Sequence, residues 1–263
     1  MKLLQKTIIT ILSAVCILVI LVSGAVILAF LHEYRTESRV YASLEENIQM
    51  PTIAQDDDTE GDSTLPSIDF DALKAINPDI VGWILIPDTR INYPIVKREN
   101  DNSYYLNHLF DGTENRAGCI FLDTRCSFGD PHVLIHGHNM ANGSMFRDLN
   151  LFKNQQFFQE HPYYYLFTEE DTYVVEVFAG SILQIGSPVW QLSFSNTVNR
   201  EQWLSECWRA VSIRRSLALA PEDTIITLST CTYEYKQARW VIQGRIQRAE
   251  NLSPKWLGIS WIV

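Results

Sequence analysis

A chain of 263 residues, 46% hydrophobic and 20% charged, suffices for one folded domain with appendages and excludes a wholly disordered protein. The net charge of −10 gathers in one stretch, because residues 40–73 hold nine acids and no Lys or Arg. The remainder is near neutral, which excludes a nucleic-acid footprint, and the acidic block reads as a solvated, self-repelling spacer.

Lys2 and Lys6 precede residues 7–31, which carry no charge. That run is long enough to span a bilayer and longer than an ordinary signal-peptide core, although Ser23-Gly24-Ala25 is small enough to be cut. The basic residues at the amino end keep residues 1–6 cytoplasmic, against the weaker pull of Arg35 and Arg39. Residues 7–31 are thus expected to be a signal-anchor and 32–66 an extracellular acidic tether whose first part, to about residue 46, continues as helix. Residues 67–263 are expected to be the catalytic domain.

Ser67 is the expected N-cap of a short helix with Asp69 and Asp71 in its first turn and Phe70, Leu73 and Ile76 on its packed face. Asn77-Pro78 stops it. Strands are predicted at residues 82–86, 91–96, 118–122, 133–135, 173–178, 224–230 and 239–246, separated by turns rich in Pro, Gly, Asn and Asp. Such short strands at this density make a closed antiparallel barrel or a sandwich. One amphipathic helix interrupts them at residues 200–212, with Trp203, Leu204, Cys207, Ala210 and Val211 on one face.

The chemistry centres on Thr227-Leu228-Ser229-Thr230-Cys231, a β-branched run that delivers a cysteine to a strand end. A hairpin then returns Arg239 beside Cys231, and a nearby cation favours the nucleophilic thiolate. The candidate base lies upstream, in Gly137-His138-Asn139-Met140 after the apolar run 133–135. Cysteine, histidine and arginine at strand ends suit acyl transfer, with the guanidinium offered to an oxyanion. His136 and His138 would share a strand face, which with Cys231 is the start of a zinc site. No neighbouring Asp, Glu or second Cys motif completes one. Cys119 and Cys207 sit in apolar patterns as small buried thiols, and a Cys119–Cys126 bridge stays open.

These motifs resemble the sortases, specifically class B. Ile80-Val81-Gly82-Trp83-Ile84, Tyr93-Pro94-Ile95-Val96, Tyr104-Tyr105-Leu106 and Gly118-Cys119-Ile120-Phe121-Leu122-Asp123 extend the resemblance over roughly residues 68–247. One position departs: His136 stands where the class usually has tyrosine. The resemblance implies a mainly β, closed sortase-type barrel with an N-terminal helix and a helical insertion before the cysteine strand, preceded by one transmembrane helix. It also implies a cysteine transpeptidase of Gram-positive bacteria that cleaves a C-terminal sorting signal after threonine through a thioester. Cys231 would be the nucleophile, His138 the acid and base, and Arg239 the oxyanion partner, with Ser229 and Thr230 lining the substrate groove.

Its partners would be surface proteins bearing the sorting signal, a cell-wall peptide or pilin amine as acceptor, and the membrane, with no nucleic acid and no metal or organic cofactor. The enzyme would sit in the cell membrane by a single pass with its catalytic domain outside. Two other readings share the signature: a membrane-anchored cysteine protease that needs no amine, and an inactive surface-binding module.

Overall fold

β-Branched runs at the carboxy end of the chain supply the two longest-buried neighbours of a closed barrel. The structure, a computed structural model, describes residues 2–49 and 65–251. Strand β10 (Thr224–Cys231) pairs antiparallel with β11 (Ala238–Arg248) and parallel with β6 (His132–His136). The ladder continues through β5 (Ile120–Leu122), β4 (Asn92–Val96), β3 (Ile80–Leu85), β7 (Tyr163–Phe167) and β8 (Thr172–Gln184). β8 closes on β11 along almost its full length, so eight strands form a barrel with no free edge. A short β9 (Ile213–Arg214) is added outside, on β8. Trp83, Tyr164, Phe146 and Trp240 fill the interior, each buried.

The sheet is not purely antiparallel. β4–β5 and β6–β10 run parallel, because long connections return the chain in the same direction across the barrel. The connection into β10 carries α4 (Thr197–Arg209), which starts three residues before the expected 200–212 because Asn196 caps it by accepting from Asn199 N at 2.9 Å. Trp203 and Cys207 face the barrel, whereas Ala210 is exposed. β7 was not among the predicted strands, since Tyr163-Tyr164-Tyr165 offers no hydrophobic alternation to read.

Ser67 is not the helix cap. It lies in β2 (Ser67–Ile68), paired with β1 (Ile48–Gln49), and Asp69 caps α2 (Phe70–Ile76) by accepting from Ala72 N at 2.9 Å. Only Leu73 of the expected face is fully buried, while Ile76 is exposed. All five cysteines are free thiols, and Cys119 contacts the Tyr41 hydroxyl at 3.2 Å instead of Cys126.

The N-terminal helix α1 (Lys2–Glu45) is continuous and, by length and composition, able to cross a membrane. Its last turns dock on the barrel. Tyr41 donates to Gly118 O at 2.7 Å and packs edge-on to Tyr93, Arg116 pairs with Glu33 at 2.7 Å, and Asn142 donates to the buried Glu37 at 2.8 Å. The stretch expected as tether therefore divides: residues 32–45 are helix packed on the domain, and residues 50–64 lie outside the described residues.

Candidate active site

Strand register brings the candidate residues into one row. Cys231 pairs directly with Arg239 across the β10–β11 ladder. On the other side Ser229 pairs with His136, so continuing that register by two places sets His138 opposite Cys231. Side chains alternate along a strand, and His136, His138, Ser229, Cys231 and Arg239 all line one cavity of about 630 Å³. Base, nucleophile and cation thus line one cavity at the barrel rim.

Gly137 makes the crossing possible. A Cβ there would stand 2.5 Å from Ile120 Cδ1 and 2.6 Å from Phe146 Cδ2, so any other residue would push the strand end away. Gly137 N still donates to Ser229 O at 3.1 Å, which ties the histidine strand to the cysteine strand up to the site. Beyond it the chain folds back: Phe146 N donates to His138 O at 2.9 Å, and Asn139 Nδ2 donates to Cys231 O at 2.8 Å. His138 Nε2 donates to Leu106 O at 2.9 Å, which fixes the ring and leaves Nδ1 as its free nitrogen. Among the described residues the Cys231 sulfur makes no hydrogen bond.

The hairpin turn after Cys231 is clamped from outside. Lys153 Nζ donates to Thr232 Oγ1 at 3.0 Å and pairs with Glu234 at 2.6 Å. Hydrogen bonds from Lys153 and Thr232 hold the Glu234 carboxyl down at about 2. Ser229 and Thr230 both line the cavity, and the Thr230 hydroxyl is buried without a hydrogen-bond partner. Elsewhere burial pushes the thiols of Cys119 and Cys207 up to about 12 and Cys126 to about 11, so these stay protonated at neutral pH. Of the four cysteines outside the N-terminal helix, half-exposed Cys231 is the one the fold leaves open to a substrate.

Several cavity residues had no role assigned from the sequence: Asn102, Leu106, Asp123, Arg125, Ile185 and Trp190. Asp123 is an acid beside the histidine pair that sequence spacing does not reveal. It lies just past β5, the antiparallel partner of β6, and its Oδ2 is 3.2 Å from His136 Nε2. Hairpin pairing, rather than sequence proximity, brings them together. Burial opposes the charge on Asp123, but hydrogen bonds from Arg125, His136 and Asn102 outweigh it and hold the carboxyl far below its usual range. Among the described residues no group of three or more His, Cys, Asp or Glu is placed to hold a metal ion.

Residues 84–247 match the family described as Sortase domain. The chain is 37% identical over 178 residues to Sortase B of Listeria monocytogenes, covering 66% of this chain and 72% of that protein. Among solved structures it resembles sortase B of Clostridium perfringens with a TM-score of 0.65 at 32% identity, over 68% of this chain and all of the other. It also resembles a Staphylococcus aureus sortase B–substrate complex, with a TM-score of 0.64 at 29% identity, over 68% of this chain and 85% of that one. Eight closed strands and a cysteine at the rim of the same barrel accord with both likenesses, and the chain belongs to the class B sortases, which are cysteine transpeptidases.

Proposed function

We propose that Cys231 attacks the threonine carbonyl of a C-terminal sorting signal and carries the acyl group as a thioester. The observation behind this is the cavity that His138, Cys231 and Arg239 line together, with Cys231 and Arg239 paired across β10 and β11. His138 as imidazolium gives its proton to the leaving amine. Arg239 offers planar N–H donors to the oxyanion of each tetrahedral intermediate. Ser229 and Thr230 border the bound peptide, and an amine from a cell-wall peptide or a pilin lysine then resolves the thioester. The acyl donor is a surface protein bearing that signal, a reading supported by the substrate-bound S. aureus relative.

Residues 1–6 face the cytoplasm in this reading, 7–31 span the cell membrane once, and 67–263 form the catalytic domain outside it. The apolar helix supports that layout.

The test uses the full chain in detergent, wild type beside Cys231→Ala, with a quenched library of Pro-containing threonine pentapeptides. Each is run with and without triglycine or a diamine. Cleavage that needs Cys231 and yields amine-bearing product is the expected result. Cleavage indifferent to the amine makes the chain a protease, and a Cys231 inert to both peptide and alkylation overturns the nucleophile assignment.

A further inference from the structure

One imidazole in the cavity has no part in that scheme. His136 lies on β6 two residues before His138, on the same face, and pairs in register with Ser229. Two residues along a strand is roughly 7 Å, and adjacent strands lie roughly 5 Å apart. His136 therefore stands one row below Cys231 on the face that lines the same cavity.

Its orientation is imposed from three sides. Nε2 lies 3.2 Å from Asp123 Oδ2, while Phe121 and Trp190 flank the ring at centroid separations of 5.1 and 6.4 Å. Asp123 is only 2% exposed, and Arg125 grips both its oxygens at 2.8 and 2.9 Å. An ionised carboxylate has no proton to give, so Nε2 carries the hydrogen and donates, and Nδ1 is left as an acceptor. Among the described residues Nδ1 has no partner. His138 is set differently, because its Nε2 meets the neutral carbonyl of Leu106.

We propose that His136, held by Asp123, receives the incoming amine in the second half-reaction. The inference rests on Cys231 being the acyl carrier. As the amine nitrogen adds to the thioester carbonyl, the C–N bond forms and an N–H proton passes to His136 Nδ1. Collapse of the oxyanion breaks the C–S bond and returns Cys231 as thiolate. The imidazolium on His136 then has the Asp123 carboxylate against its other nitrogen, a balance of charge that Leu106 does not give His138. Release of that proton from His136 to water, and uptake of one from water by His138, which has been neutral since acylation, reset the site.

The experiment separates the two half-reactions in the full chain, using the pentapeptide the library selects and triglycine as acceptor. Thioester on Cys231 is followed by mass spectrometry, and amide product is followed after triglycine is added. His136→Gln is expected to form thioester within about twofold of wild type but to lose roughly a hundredfold in aminolysis, with hydrolysis becoming the main outcome. In His136→Ala, free imidazole is expected to restore aminolysis by about tenfold or more, which a merely structural residue would not allow. Unchanged aminolysis in His136→Gln overturns the proposal, and so does a parallel loss of thioester formation. Absence of thioester in the wild type removes the acyl-carrier reading, and the inference with it.

Discussion

His132 and His138 lie at opposite ends of one strand line, and the fold uses them in opposite ways. His132 is fully buried, with Nδ1 at 2.7 Å from Gln191 O, Nε2 at 2.8 Å from Thr227 Oγ1, and Trp203 against the ring. Burial pushes it down to about 4, so it is neutral under ordinary conditions. His138 has one nitrogen on a backbone carbonyl and the other open to the cavity. Residue type is the same, and His138 lies just two residues past the strand that His132 begins. What differs is the cover: the segment leading into α4 closes over the start of β6, whereas Gly137 ends the strand and exposes its tip. A histidine becomes chemical here when the fold leaves one nitrogen unpartnered.

The sharpest way to divide the two ends is Cys231→Ala. It is expected to lower transpeptidation by about 10⁴-fold or more while leaving the melting temperature nearly unchanged. Arg239→Ala should follow, with kcat reduced by roughly 10²–10³-fold and a smaller change in KM, checked by steady-state kinetics. At the sealed end the expected effect is on stability. The unfolded chain protonates His132 near pH 6.5 while the folded chain resists until about 4, so stability is complete above pH 6.5 and falls as pH drops toward 4. The His132 contribution to that fall is about 3 kcal/mol at most, and denaturant titration of His132→Phe should show it missing. A His132 variant that lost acyl transfer at constant stability would collapse the distinction between the two ends. Smallest of all, Lys153→Met frees the turn after Cys231 and should cost under about 1 kcal/mol, an effect that shrinks in high salt.

Much of this site could be read from local pattern. Cys231 and Arg239 flank a turn, so a hairpin sets them together, and Gly137-His138 ends an apolar strand. The parallel pairing of β6 with β10 rests on non-local contacts that periodicity does not show, and the sequence offered only an antiparallel barrel. Asp123 beside His136 was missed for the same reason, since the contact depends on the β5–β6 register. Ser67 misled because a serine before two acids has the form of a cap, yet it belongs to a ladder with Gln49 and the cap role falls to Asp69. β7 stayed hidden because both faces of its tyrosine run are covered, so the polar side of the alternation is absent.

The docked end of α1 has a consequence for substrate architecture. One helix runs without a break from the apolar segment to Tyr41 and Leu44, which are buried against the barrel. If residues 7–31 span the bilayer as proposed, the docked turns from Glu33 to Leu44 would lie from roughly 3 to 20 Å beyond its outer face at 1.5 Å per residue. The cavity would thus be held at a set height instead of sweeping a volume on a loose chain, and a substrate anchored in the same membrane would have to cover that height itself. Spacing of the sorting motif from the membrane would therefore act as a ruler that selects substrates before any side chain is read.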